Sequence, residues 1–96
     1  MSIAGTNMEI NGINLNVLIE GEGEPVLLLH GFPDSNYLWR GVIPHLVNAG
    51  YQVIAPDQRG FGLSDAPEGK ENYEMEQIAR DAVAVLDALN IPKAKL

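Results

Sequence analysis

The sequence predicts an α/β protein in which a small sheet of about four strands is flanked by helices. Three observations lead to this: an Asn-Gly pair within alternating apolar and polar residues, two short runs of consecutive apolar residues, and one long amphipathic pattern of helical period. The alternation predicts an antiparallel hairpin, whereas consecutive apolar residues are typical of strands covered on both faces. The predicted order is strand, strand, strand, helix, strand, helix, with right-handed crossovers.

The hairpin is predicted around Asn11 and Gly12, inside the alternating segment Met8–Val17. Asn-Gly suits a two-residue type I′ turn, because both central positions need a positive φ. The second strand should place its apolar side chains on one face: Ile13, Leu15, Val17 and Ile19. Gly21–Pro25 is predicted to be a turn.

The two buried strands are predicted at Val26–Leu29 and Tyr51–Asp57. Between them, Tyr37–Asn48 has an almost helical period, but Pro44 lacks an N–H and clashes with the preceding turn. We therefore expect two short helical pieces, the second starting near Pro44 and ending at Gly50 in a left-handed conformation.

The longest helix is predicted at Glu74–Leu89, followed by Asn90-Ile91-Pro92 as its end. Its apolar residues lie on one broad face: Met75, Ile78, Ala79, Ala82, Val83, Val85, Leu86 and Leu89. Its charged residues are expected mostly on the opposite face: Glu76, Arg80, Asp81 and Asp87.

Length and composition indicate one domain, residues 1–96, with ordinary globular character. Thirteen acidic residues against six basic ones give a net charge of −7, which speaks against nucleic acid as a partner. The lack of cysteine excludes disulfides and thiolate metal sites, and the two histidines do not form a metal pair. There is no signal peptide pattern, and no apolar run approaches the ~20 residues that span a membrane. We expect a cytoplasmic protein without metal or cofactor.

Functional residues are expected where the two buried strands end, because sites in parallel sheets form at the carboxyl ends of strands. The first strand is followed by His30-Gly31-Phe32-Pro33-Asp34-Ser35, and the second by a stretch from Asp57 to Asp65. Both stretches place glycine and polar residues directly after a buried strand.

These stretches carry a family resemblance. His30-Gly31-Phe32-Pro33 resembles the HGxP motif of α/β-hydrolases that open epoxides or remove halides, and the stretches 37–40, 43–46 and 53–65 are similar to haloalkane dehalogenases. The resemblance runs from about Met8 to Leu96. It implies the amino-terminal part of an α/β-hydrolase sheet, β1-β2-β3-αA-β4-αB with strand order 1-2-4-3, ending before the nucleophile elbow.

The resemblance also implies a chemistry: an Asp attacks, a His activates water, and an acid orients that His. None of the three is assigned within these residues. Phe32 is implied as the backbone N–H donor of an oxyanion hole, and a substrate pocket is implied at His30, Gly31, Phe32, Pro33 and Trp39. Many haloalkane dehalogenases have Asn at the position of Phe32. The phenylalanine favours epoxide hydrolases or related esterases, although fluoroacetate dehalogenases also resemble the HGFP form.

Structural roles compete with functional ones at several of these residues. We expect His30 to brace its loop, Asp57 and Arg59 to fix the turn after the strand by bonding backbone groups, and Ser64 to belong to a turn. Trp39 is equally compatible with the core and with a pocket wall.

Two hypotheses from different classes remain. In the first, the chain is part of a hydrolase that acts on small apolar electrophiles and is inactive alone. In the second, it is a self-associating module without catalysis. In the implied sheet, Val26–Leu29 pairs on its other side with a strand that is missing from these residues. It would thus become a bare edge, which invites pairing with a second copy into a homodimer with a sheet of about eight strands.

Overall fold

A computed structural model describes residues 4–30, 35–69, 73 and 75–94, and confirms the α/β class. The strands are β1 (Thr6–Ile10), β2 (Ile13–Glu20), β3 (Glu24–Leu27) and β4 (Tyr51–Pro56). The α-helices are α1 (Ile43–Asn48) and α2 (Met75–Ala88), and a 3-10 helix, Asn36–Trp39, precedes α1. The observed order of elements is the predicted one.

The four strands form one mixed sheet in the order β1-β2-β4-β3. β1 and β2 form an antiparallel hairpin, whose turn residues Asn11 and Gly12 have φ of 50° and 85°. These positive values confirm the type I′ turn. β2 also pairs antiparallel with β4, whereas β3 pairs parallel with β4. The carboxyl ends of β3 and β4 therefore lie side by side.

The bounds of β3 differ from the predicted Val26–Leu29. The strand begins at Glu24, and Pro25 lies inside it opposite Gln52 of β4. A proline is tolerated there because β3 is an edge strand in the described part of the chain, where one row of N–H groups needs no partner. The pairing continues past Leu27, because the Leu28 N–H donates to the Ile54 carbonyl at 2.9 Å.

The core consists of two apolar layers on the two faces of the sheet. One layer packs against α2: Ile10, Leu15, Val17, Leu27, Ile54 and Val85. The other packs against α1 and the 3-10 helix: Leu18, Ile43, Val53 and Ala55, with Leu28, Trp39, Leu46 and Val47 at its margin. β4 contributes to both layers, which explains why its apolar residues are consecutive rather than alternating.

The helices between β3 and β4 are broken as the sequence predicts. Pro44 lies in the first turn of α1, where a missing N–H costs no hydrogen bond. Gly50 follows α1 with φ of 92°.

One prediction for α2 is wrong. Asp81, expected on the polar face, is buried, whereas Met75 and Val83, expected on the apolar face, are 82% and 58% exposed. The reason is that Asp81 has a buried cationic partner, described below. The helix ends before Asn90, whose φ of 58° marks the predicted stop.

Candidate functional site at the carboxyl ends of β3 and β4

His30 and Gln58 connect the segments that follow β3 and β4. The Gln58 backbone N–H donates to His30 Nε2 at 2.9 Å, and the Gln58 side-chain amide donates to the His30 carbonyl oxygen at 2.6 Å. The ring of Phe61 packs edge-on against the imidazole, with 5.5 Å between ring centroids. The imidazole is buried and its Nε2 lone pair is occupied by an N–H donor. This arrangement suits a residue that braces a loop rather than a base that accepts a proton from substrate.

Asp57 directly follows β4, and its fully buried carboxylate accepts hydrogen bonds from three donors. It accepts hydrogen bonds from the backbone N–H groups of Asn36 at 2.7 Å and Leu63 at 3.0 Å. It also accepts one from the side-chain amide of Asn16, at 3.0 Å. Asp57 thus joins the start of the 3-10 helix, the loop after β4 and β2, in agreement with the backbone-bonding role expected for it.

The loop after β4, residues 57–65, runs beside the first half of β2. Ser64 Oγ donates to the Asp57 carbonyl at 2.6 Å and accepts from the Asn16 N–H at 2.8 Å. Asp65 exchanges two bonds with Asn14, one through its carboxylate at 2.8 Å and one through its backbone N–H at 2.9 Å. The hydroxyl of Ser64 is therefore used in holding the loop, as expected of a turn residue.

Arg59 forms a buried ion pair that was not predicted from the sequence. Its Nε and Nη2 donate to the two carboxylate oxygens of Asp81 on α2 at 2.6 and 2.9 Å. Asn11, in the hairpin turn, donates to the same carboxylate at 3.0 Å. Asp81 lies between Ile78 and Val85 at helical spacing, so an acidic residue inside an apolar stripe was the feature in the sequence that pointed to a buried partner.

A cavity of about 730 Å³ opens where β3 and β4 end. Its wall is mostly apolar, formed by Leu29, Phe61, Met75 and Ile78, with polar groups from His30, Gln58 and Tyr73. Tyr73 stands over Gly60 and donates its hydroxyl to the Pro67 carbonyl at 2.6 Å. A large apolar concavity with few polar groups is the usual form of a small-molecule site.

Trp39 lies on the opposite face of β3. It lines a groove of about 250 Å³ together with Leu27, Leu28 and Leu29, and also packs at the margin of the α1 layer. Its packing against the α1 layer matches the core alternative, whereas the role as a wall of the substrate pocket stays a prediction. Its indole Nε1 is buried and has no hydrogen-bond partner among the described residues.

The predicted site residues are only partly within the described chain. His30 and Trp39 are described and line different cavities. Gly31, Phe32 and Pro33 lie outside the described residues, so the oxyanion hole at Phe32 stays a prediction. Across residues 4–30, 35–69, 73 and 75–94, no cluster of side chains suits a metal ion, and no helix is long and apolar enough to cross a bilayer.

The chain is similar to known hydrolases in sequence and in structure. A family model described as alpha/beta hydrolase fold matches residues 24–96. Epoxide hydrolase A of Mycobacterium tuberculosis is 46% identical over 89 residues, which are 91% of this chain and 28% of that protein. The crystal structure of Epoxide Hydrolase A from Mycobacterium thermoresistibile matches with a TM-score of 0.89 and 45% identity, over 93% of this chain and 28% of that one.

A second kind of hydrolase is also similar. An esterase from Exiguobacterium antarcticum matches with a TM-score of 0.84 and 34% identity, over 91% of this chain and 32% of the esterase. In each of these comparisons the chain spans less than a third of the length of the protein that it matches.

Proposed function

Because this chain belongs to the α/β-hydrolase fold family, we propose that it forms the amino-terminal part of an epoxide-hydrolase-like enzyme. The whole enzyme would add water to an epoxide or a related small apolar electrophile. The observation that carries the proposal is the 46% identity to an epoxide hydrolase over nearly the whole chain. The wall of the 730 Å³ cavity supports it, because an apolar substrate suits an apolar pocket.

In this proposal the chain supplies a scaffold and one catalytic donor. The segment 31–34 is bounded by two fixed points: His30, held by two bonds from Gln58, and Asn36, whose N–H donates to Asp57. The backbone N–H of Phe32, within that segment, would donate to the negative oxygen that develops when water attacks an ester intermediate. A donor that is fixed in advance stabilises such charge without reorganisation, which makes this part of an oxyanion hole.

The test is a fusion of residues 1–96 to the remaining part of Epoxide hydrolase A from Mycobacterium tuberculosis. We expect the fusion protein to fold and to hydrolyse styrene oxide. The matched control is the same fusion in which the nucleophilic carboxylate of the appended part is replaced by its amide. Turnover that persists in the control would contradict the proposed ester intermediate, and a folded but inactive fusion would contradict the proposed role of this chain.

Ester hydrolysis is the second candidate, supported by the similarity to the esterase from Exiguobacterium antarcticum. A parallel fusion to the remaining part of that esterase separates the two candidates, with p-nitrophenyl acetate as substrate. If the esterase fusion is active and the epoxide hydrolase fusion is folded but inactive, the epoxide assignment is wrong and the esterase assignment replaces it.

A further inference from the structure

The turn between β1 and β2 contains the one Asn-Gly pair of the sequence, Asn11-Gly12. Asn11 is exposed, and a Cβ built on Gly12 would have nothing within 4 Å. The main-chain nitrogen that follows an asparagine can attack the side-chain carbonyl carbon, and a Cβ on the following residue hinders this attack. Glycine has no Cβ, so the turn combines a reactive sequence with the open space that ring closure needs.

The side chain of Asn11 also belongs to the network around the buried ion pair. Its Nδ2 donates to Asp81 Oδ1 at 3.0 Å. The same oxygen accepts from Arg59 Nη2 at 2.9 Å and from Gln77 Nε2 at 3.3 Å. An amide donor on Asn11 thus connects the hairpin to α2, and this amide is the group that the attack by Gly12 would remove.

We propose that Asn11 is a site of spontaneous deamidation, and that the reaction releases the hairpin from α2. The Gly12 nitrogen forms a bond to Asn11 Cγ while the Cγ–Nδ2 bond breaks, and Nδ2 leaves as ammonia with the proton of the Gly12 N–H. Water then opens the resulting succinimide. Cleavage of the new bond to Cγ gives aspartate, whereas cleavage of the bond between the Gly12 nitrogen and the Asn11 carbonyl carbon gives isoaspartate.

Both products change the charge balance at the ion pair. They place a carboxylate where the amide donates to Asp81, so a donor becomes a group that only accepts hydrogen bonds. The single positive charge of Arg59 then faces two carboxylates, although the ion pair is buried. Isoaspartate also adds a methylene group to the main chain of a two-residue turn, which does not fit the type I′ geometry.

The contact that is lost also supports the candidate site. Ile78, one helical turn before Asp81, lines the 730 Å³ cavity, as does Phe61 of the loop that contains Arg59. Asn11 and Arg59 hold Asp81 from two sides, through the hairpin and through this loop. Deamidation therefore loosens the α2 wall of the cavity.

The first experiment follows the reaction in the 96-residue chain and does not depend on the hydrolase proposal. The folded chain is kept at neutral pH, and peptide mapping by mass spectrometry with an isoaspartate-specific methyltransferase assay locates the modified residues. We expect modification at Asn11 well before Asn48, which is also exposed but precedes Ala49. Gly12→Ala should slow the reaction at Asn11. If Asn11 is modified no faster than Asn48, the proposal is overturned.

The second experiment measures what the new charge does to stability. Asn11→Asp reproduces one product, since Asp-Gly also suits a type I′ turn. Asn11→Gly is the matched control, because it loses the same amide and tolerates the φ of 50° without adding a charge. In urea denaturation, the equilibrium constant for folding should be at least about tenfold lower for Asn11→Asp than for Asn11→Gly. Equal constants contradict the proposed release of the hairpin.

The double variant Arg59→Met, Asp81→Leu removes both charges of the pair. In this background Asn11→Asp and Asn11→Gly should differ by less than about twofold, because no carboxylate remains opposite position 11. The same difference in both backgrounds overturns the role given to Asp81.

An aged sample of the unmodified sequence decides the question if the double variant fails to fold. Anion exchange separates the deamidated chain, which carries one more negative charge, from the intact one. Amide exchange measured by NMR should be faster along α2 in the deamidated chain. Unchanged exchange in α2 overturns the proposal.

Discussion

The pair formed by Arg59 and Asp81 fixes the loop after β4 to α2 at the level of single side chains. Breaking a buried ion pair on one side leaves a charge without compensation, so Arg59→Met should lower the free energy of unfolding by about 3–5 kcal/mol. Urea denaturation followed by circular dichroism measures this. The double variant Arg59→Met, Asp81→Leu should recover part of the loss, because no buried charge remains.

The matched control is the other ion pair of the described chain. Arg80 Nη2 and Glu76 Oε2 are 3.8 Å apart on the exposed surface of α2. Arg80→Met should change the free energy of unfolding by about 0.5 kcal/mol or less, because exposed pairs contribute little. Equal effects of the two arginine substitutions would refute the structural role assigned to Arg59.

Gly60 is a second residue whose identity the structure requires. Its φ is 85°, and an added Cβ would lie 2.6 Å from Tyr73 Cε1. Gly12 has the same φ but open space around it, so Gly12→Ala should cost about 1 kcal/mol from the backbone alone. Gly60→Ala should cost at least about 1 kcal/mol more, because the Tyr73 ring must move. If Gly60→Ala and Gly12→Ala lower the stability equally in thermal unfolding, the Tyr73 ring moves aside without a cost in free energy.

Phe32 can be tested through its backbone rather than its side chain. In the epoxide hydrolase fusion, Phe32→Pro removes the N–H and should lower kcat about 10²–10³-fold. Phe32→Leu keeps the N–H and should have a much smaller effect. If single-turnover kinetics show that the proline variant hydrolyses the ester intermediate at the normal rate, Phe32 is not the oxyanion donor.

At the scale of elements, α2 is attached to the sheet by only part of its apolar face. Val85 is fully buried in the α2 layer, whereas Val83 is 58% exposed. Val85→Ala should lower the free energy of unfolding by about 2 kcal/mol because it leaves a cavity. Val83→Ala, the same chemical change on the same helix, should cost about 0.5 kcal/mol or less. Urea denaturation of both variants checks the orientation of α2.

The elements also show what local pattern determines and what it does not. The Asn11-Gly12 turn and the break at Pro44 follow from the φ that each residue type allows, so both were predictable. The bounds of β3 were not, because Pro25 is acceptable only where the pairing of the strand does not need its N–H, and that depends on long-range contacts. Asp81 was assigned to the polar face because of its charge, although its spacing from Ile78 and Val85 places it in the apolar stripe. The partner that allows its burial is 22 residues away in the sequence, beyond the reach of a local pattern.

At the scale of the whole molecule, the HGFP resemblance predicts a site at the end of β3 but not the contacts that support this end of the strand. The structure adds the bonds between His30 and Gln58. Those bonds join segments 28 residues apart in sequence, and no local pattern predicts that Gln58 would use both its backbone and its side chain. Long-range pairing is determined by the sheet, which brings the ends of parallel strands together.

The isolated chain should bind apolar molecules without turning them over. The described part of the chain contains the 730 Å³ apolar cavity, but the resemblance assigns no nucleophile, base or acid to this sequence. We expect no hydrolysis of styrene oxide by the 96-residue chain under conditions in which the fusion protein is active. Diol formation above the uncatalysed rate, followed by gas chromatography, would show that the catalytic roles are wrongly assigned.

The outward position of Pro25 also bears on whether this chain forms amyloid. A strand edge becomes a template for fibrils when it offers an uninterrupted ladder of six or seven apolar residues. Here the ladder is interrupted at Pro25, which leaves the three leucines as a stretch too short to nucleate cross-β stacking. Pro25 thus acts as a gatekeeper residue of β3, of the kind that protects hydrophobic strands against growth into fibrils.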